Sequence, residues 1–303
     1  MFLSDKKKLN AFRLNEKMMV VDTISTSRPE KKYKDIIGYS GEINNLNLFF
    51  ANTAKNEIFG VNINFDKRTT DKRSYQFDFS NESFLKCFSE NKKFYMMTIV
   101  QNSSVIKLYV FDGNGDYQAK LINLRSFPFS NISPTISNLY DVFDITVGGL
   151  AVFEEEFSIQ EIDSDSPTTI VETAKKKKCY SNSKEIVISL DLSKQITQLI
   201  TIDLKTFVPT FKEFQQKVIV GSKTQNSNSL FFENKLIQVV LSSDEMWITI
   251  KDLNNTLLKE YSASKDAEIS FKNSDIIRSE SPTFIAIAGE RSERVLESSQ
   301  QFL

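Results

Sequence analysis

Two stretches of this chain have spacings that could support chemistry. Asp112-Gly113-Asn114-Gly115-Asp116 has the Asp-x-Asn-x-Asp opening of a calcium loop. That chemistry needs clustered oxygen ligands, glycine at the sixth position and a bidentate glutamate at the twelfth. Here those positions hold Tyr117 and Asn123. Two glycines in a polar stretch between alternating strands are what a hairpin asks for, and a hairpin turn is the better reading. Gly38-Tyr39-Ser40-Gly41-Glu42 nearly matches the Gly-x-Ser-x-Gly of a nucleophile elbow, but Glu42 stands where the last glycine belongs. The chain contains no histidine. The usual triad therefore cannot form, and a connecting turn between sheets is the expectation.

The missing histidine also removes Cys-His pairs, histidine-bound metals and the commonest general base near neutral pH. An enzyme built on this sequence has to work with carboxylates, lysine or tyrosine. Cys87 and Cys179 are the only cysteines, with no Cys-x-x-Cys pair. They read as structural thiols, without a zinc site or a disulfide framework. Glu154-Glu155-Glu156 and Lys175-Lys176-Lys177-Lys178 are runs of opposite sign. Like charges in a row repel and seek water, so both are expected in solvated loops. Trp247, the only tryptophan, sits between Met246 and Ile248, where strand alternation favours packing over a sugar-stacking platform. Glycosylation sequons at Asn81, Asn102, Asn131 and Asn254 matter only on a eukaryotic secretory route. No catalytic, cofactor-binding or metal-ligating residue is named.

The elements that position these residues read as β-strands. Period-two alternation dominates. It marks 18–24, 46–51, 57–65 and 75–79, then the pair Lys93–Val100 and Val105–Phe111 around a Gln101-Asn102-Ser103-Ser104 turn, then Tyr117–Leu124. The same three-strand meander recurs at 185–190, 199–202 and 207–211, and at 236–241, 246–250 and 257–261. Each middle strand ends near an Asp that opens a turn: Asp112, Asp203 and Asp252, with Asp66 as an earlier copy and Asn15 and Asp163 as weaker ones. These lie 40 to 51 residues apart, a drifting period of about 48, as four-stranded repeats require. Phe284–Ala288 would begin a further copy. Asn81–Phe88 reads as a helical turn or an outer strand, and Glu290–Gln301 as a helix or a frayed end. Lys175–Lys178 and Gly221–Ser229 read as loops. Only 9 glycines are present, so Asn, Asp and Ser must carry the turns.

This strand, strand, Asp-turn, strand repeat resembles the β-propeller repeat proteins, over nearly the whole chain. The resemblance implies an all-β fold: one β-propeller domain over residues 1–303, with about six four-stranded blades, open or incomplete. The physical reason is burial. One small twisted sheet cannot cover both its faces, whereas sheets stacked face to face bury both. The 25 phenylalanines would fill the gaps between sheets. A pair of β-sandwiches is the alternative. Trp-Asp endings, a recurring kelch double glycine and sialidase Asp boxes are absent from the sequence, so the resemblance brings no catalytic residues. The Lys-, Asn-, Ile-, Phe- and Ser-rich composition is similar to that of proteins from AT-rich bacteria.

Net charge is −1, with 38 basic and 39 acidic residues, which gives no electrostatic case for nucleic acid or an anionic membrane. No stretch approaches the roughly 20 apolar residues of a membrane-spanning helix. Read as it stands, the protein is cytoplasmic. The early first strand and the abrupt ending lead to the expectation of a fragment, or of a start site placed too late. A missing upstream signal peptide would place the protein in the periplasm or on the cell surface. Three roles compete: a non-enzymatic binding or scaffold module for a protein or small ligand, without cofactor; a carboxylate-dependent, glycan-directed hydrolase, for which the sequence places none of Asp35, Asp66, Asp144 and Glu161 at a cleft; and a structural protein that assembles with a missing part of its own chain.

Overall fold

Within each sheet the strands pair in sequence order, with one parallel pair among the antiparallel ones, and short turns close the hairpins. A computed structural model describes residues 1–5, 7–148, 153–163, 168–222 and 225–272. Among the described residues there are five sheets. The first holds β1 (Phe2–Ser4), β2 (Lys8–Leu14) and β3 (Val20–Ser27). The second holds β4 (Asp35–Glu42), β5 (Asn45–Ala51), β6 (Glu57–Asn64) and β7 (Thr69–Gln76). The third holds β8 (Glu82–Glu90), β9 (Lys93–Val100), β10 (Val105–Phe111) and β11 (Tyr117–Asn123). After helix α1 (Leu139–Asp144), the fourth sheet runs β12 (Gln160–Glu161) and then, past helix α2 (Ile170–Thr173), β13 (Lys177–Ser181), β14 (Glu185–Leu190), β15 (Ile196–Asp203) and β16 (Pro209–Gln215). The fifth holds β17 (Asn226–Phe232), β18 (Lys235–Leu241), β19 (Glu245–Asp252) and β20 (Leu257–Ser264). The chain is thus all-β, of β-propeller type, as the sequence predicts. Two compact units divide it: Met1–Ile188 with Leu199–Phe211, and Ser189–Gln198 with the chain from Lys212 onward.

Within the first unit, side-chain parity assigns the two faces of one strand to different neighbours. Leu48 and Phe50 of β5 join Leu9, Ala11 and Ile24 of the first sheet in one core, together with Val61 and Ile63 of β6. Phe49 and Ala51, one position along, join Phe94, Met96, Tyr109 and Phe111 of the third sheet, together with Ile58 and Tyr75. The second sheet is therefore covered on both faces. Phe49 stacks on Phe94 with ring centroids 4.6 Å apart and tilts against Phe111 at 5.0 Å. Such pairs add about 0.5–1.5 kcal/mol each beyond area burial.

The recurring Asp has a physical cause. Asp112 Oδ1 accepts from the backbone N–H of Asn114 and Asp116, Asp203 Oδ1 from Lys205 and Thr206, and Asp252 Oδ1 from Asn254 and Thr256. The side chain imitates a backbone turn and closes the last hairpin of its sheet. Asn15 does the same for the N–H groups of Lys17 and Met19. At the β6–β7 turn the acceptor is Asn64, not Asp66. In this phase β1, β2 and β3 correspond to the last three strands of a four-stranded sheet.

In the second unit the fifth sheet has reversed polarity. Its buried face carries the cross-strand row Ser229, Gln238 and Thr249 beside Ser227, Val240 and Leu236. These meet buried Asp191. Its Oδ1 accepts from the Thr197 hydroxyl at 2.8 Å, and its Oδ2 accepts from the Ser229 N–H at 3.0 Å and hydroxyl at 2.8 Å. Thr197 Oγ1 in turn accepts from the side-chain amides of Gln216 and Gln238, both at 3.1 Å. The opposite face, with Leu230, Ile237, Val239, Ile248 and Ile250, is only half-buried.

Several local expectations change. For Asn81–Phe88 the outer-strand reading holds, since β8 is the edge of the third sheet. Gly38–Glu42 is not a turn but the end of β4, bulged between Ile36 and Gly38. Gly38 is required there because a Cβ would stand 2.3 Å from the Phe94 ring. Asn226–Ser229, read as loop, opens β17, whose serines face the polar interior. Asp163 follows two-residue β12 and marks no meander of its own. The strand at Phe284–Ala288 and the segment Glu290–Gln301 lie outside the described residues.

Candidate functional site

The third-sheet-facing side of the second sheet is a grid of four cross-strand rows. They are Ala51–Ile58–Tyr75, Phe49–Gly60–Arg73, Asn47–Asn62–Asp71 and Asn45–Asn64–Thr69. The first rows pack against the third sheet. The last two turn from apolar to amide while keeping the same parity, so the inter-sheet space continues as an open polar cleft of about 360 Å³.

The amides hold one another. Asn62 Nδ2 donates to Asn47 Oδ1 at 3.0 Å and Asn45 Oδ1 at 3.1 Å, and Asn64 Nδ2 donates to Asn45 Oδ1 at 3.3 Å. Asn47, only 4% exposed, donates to Ser40 Oγ at 3.2 Å and to the Gly113 carbonyl at 2.8 Å. A mutually hydrogen-bonded amide network of this kind fixes side-chain positions before any ligand arrives.

The two motifs singled out in the sequence meet here. The β10–β11 hairpin turn, Asp112 to Asp116, docks on the end of β4 and closes one wall. Ser40, fully buried, donates to the Asp112 carbonyl at 2.6 Å. The Tyr75 hydroxyl donates to the Gly115 carbonyl at 2.7 Å, and Arg73 Nη1 donates to Asp116 Oδ1 at 2.6 Å. Gly115 has φ of +78°, and a Cβ there would stand 2.9 Å from the Tyr75 hydroxyl. Burial pushes the Tyr75 hydroxyl up from its ordinary pKa, and the Asp116 hydrogen bond raises that of Arg73. Both groups therefore keep their protons near neutral pH. Asp112 spends its carboxylate on its own turn, and Ser40 is a buried clamp rather than an exposed nucleophile.

Three polar side chains lining the cleft, Lys67, Thr69 and Asp71, are not engaged through their side chains by the described protein. Asn62 Oδ1 and the side chain of Asn114 complete the set facing solvent.

The four acids of the hydrolase reading are not brought together. Asp35 lies 3.5 Å from Lys55, Glu161 pairs with Lys86 at 2.9 Å, Asp66 sits in the β6–β7 turn and Asp144 ends α1. The charge runs depart from solvated loops. Lys177 and Lys178 are fully buried and Glu154 nearly so. The Lys177 ammonium donates hydrogen bonds to the carbonyls of Ile145 at 2.8 Å and of Phe143 and Glu155 at 3.3 Å. Three such acceptors match its three N–H groups, which is why burial is tolerated. Burial still lowers its pKa, opposed by Glu154, Asp144 and Glu156. Glu154 accepts from the Lys176 N–H. Trp247 is half-buried, with Lys217 Nζ 3.9 Å above its ring centroid. Burial drives both cysteine thiols up to about 12.

The cleft itself was missed from sequence. Its signal is the Asn-x-Asn pair at 45 and 47 answered by another at 62 and 64 on the partner strand.

No protein-family model and no curated protein matches the chain. Among solved structures it is similar to cobalt-substituted ACO from Synechocystis, at 9% identity and a TM-score of 0.38, covering 88% of this chain and 58% of that one. It is also similar to the WD40 domain of SCAP from fission yeast, at 14% identity and a TM-score of 0.31, covering 86% and 49%. A third is the Nup133 β-propeller domain of Vanderwaltozyma polyspora, at 9% identity and a TM-score of 0.30, covering 87% and 82%. The chain spans little more than half the length of the first structures it matches.

Proposed function

We propose that the chain is a non-enzymatic binding module that takes a small polar ligand in the asparagine-lined cleft. One observation carries this reading. The amides of Asn45, Asn47, Asn62 and Asn64 are locked by mutual hydrogen bonds, while Asp71, Lys67 and Thr69 beside them are left unspent by the protein. Their volume of about 360 Å³ falls within the range of small-molecule sites. The balanced charge argues against a nucleic-acid partner. The test is a ligand-observed NMR screen of polar fragments, with binders mapped on the side-chain amide signals of the four asparagines. Binders that shift these signals, and that weaken when Asn62→Leu removes the free carbonyl, support the reading. Absence of any binder, or binders that leave all four amides unmoved, would refute it.

A further inference from the structure

The unspent groups also restrict the chemical class of ligand. We propose that the cleft takes an uncharged polyhydroxyl compound the size of one sugar ring, a monosaccharide unit. The inference rests on the preceding reading of the cleft as a ligand site.

Charge is the first argument. Of the cleft's cations, Arg73 is paired with Asp116, and Lys72, of opposite strand parity to Asp71 and Arg73, carries its ammonium to the Ser27 hydroxyl of the first sheet. That leaves Lys67 and Asp71, one of each sign. A ligand with net charge gains from one and is repelled by the other, and it loses its own hydration on entering. A neutral ligand is not penalised in this way.

Donor and acceptor balance is the second argument. Asp71 and Asn62 Oδ1 accept only, Lys67 donates only, and Thr69 and Asn114 do both. A hydroxyl group is itself donor and acceptor, so adjacent hydroxyls can serve an accepting carboxylate and a donating ammonium at once. They also replace the water on these groups bond for bond.

Shape and surface give the third. Planar aromatic ligands need an open ring face to stack on, and the cleft offers none. Tyr75 is only 7% exposed, and the Arg73 guanidinium stands 5.4 Å from its ring centroid. The volume of about 360 Å³ lies at the small end for ligand sites, which suits a single ring.

The test compares ring probes of equal size that differ in charge. D-glucose, D-galactose and D-mannose are titrated by calorimetry and by NMR on the Asn62 and Asn114 side-chain amides. Each is set against its 2-amino and 6-carboxy counterparts. At least one neutral sugar is expected to bind about tenfold or more tightly than both charged counterparts, with both amides shifting. Asp71→Asn, which keeps the size and loses the charge, is expected to weaken the neutral sugar while the circular dichroism spectrum stays unchanged. Equal or tighter binding by an amino sugar or a uronate at the same amides would overturn the ligand class and leave the site standing. No binding by any of the nine probes would overturn the ligand class as well. The polar-fragment screen then decides separately whether the site itself survives. The wild-type titrations are decisive even if the variant does not fold.

Discussion

Replacing Asn47 tests whether the amide ladder holds the hairpin turn against the second sheet. Its Nδ2 donates to Ser40 Oγ and the Gly113 carbonyl, and its Oδ1 accepts from Asn62. In Asn47→Ala, Ser40 keeps its bond to the Asp112 carbonyl and Asn62 keeps Asn45. The Gly113 carbonyl is left with Asn45 Nδ2 at 3.4 Å. One nearly stripped acceptor, at about 1–3 kcal/mol, plus two partly compensated bonds gives a loss of roughly 2–4 kcal/mol. Asn47→Asp has the same shape but cannot donate, and it turns a buried carboxylate toward a carbonyl. It should cost more, about 3–5 kcal/mol. Urea and thermal unfolding followed by circular dichroism measure both, at roughly 2–4 °C of Tm per kcal/mol for a unit of this size. If Asn47→Asp proves as stable as the wild type, Asn47 is not a buried donor and the clamp does not exist.

Other expectations follow from the same chemistry. In the second unit, Asp191→Ala strips Thr197 and Ser229 of a buried charged acceptor and should cost about 3 kcal/mol or more; unfolding followed by Trp247 fluorescence reads it, and a loss under half a kilocalorie would contradict the network. With thiol pKa values pushed up to about 12, Cys87 and Cys179 should stay inert to a chromogenic disulfide reagent at pH 8 until the protein is unfolded; immediate reaction would show that the cores around them are open. Asp203 and Asp252 are held below the usual carboxylate value of 3.8, chiefly by the backbone N–H groups of Thr206 and Thr256. Unfolded chains then bind the extra protons, so this contribution is complete above that value and is lost as pH falls through the folded pKa values. Melts across acid pH should show Asp252→Asn, which keeps the turn acceptor, with a shallower acid loss than wild type; identical slopes would count against it.

The alternating strands were legible because burial on both faces leaves a period-two trace. Lys93–Val100 and Val105–Phe111 coincide with β9 and β10. The recurrent Asp was legible because a side chain that closes a hairpin must stand at a fixed place. What escaped was long-range. Gly38–Glu42 has the composition of a turn, yet Gly38 is a glycine because the ring of Phe94, 56 residues on in sequence, lies against β4. Lys177 belongs to a charge run that reads as solvated, and the carbonyls of Phe143, Ile145 and Glu155 make its buried ammonium tolerable. Asn226–Ser229 reads as loop because the polar partner of Ser229, Asp191, lies 38 residues away in sequence. The cleft was hidden for a similar reason. An asparagine in a strand looks like a solvent-facing position until the paired strand proves to carry amides in the same rows.

The account depends most on neighbouring residues of one strand facing different sheets, and nuclear Overhauser contacts in protein labelled at Phe, Ala and Leu test that directly. Phe49 should show contacts to Phe94 and Phe111, and Phe50 should show them only within the group containing Leu9, Ala11 and Ile24. Contacts from both rings to one and the same set would contradict the stacked-sheet fold, and the cleft with it.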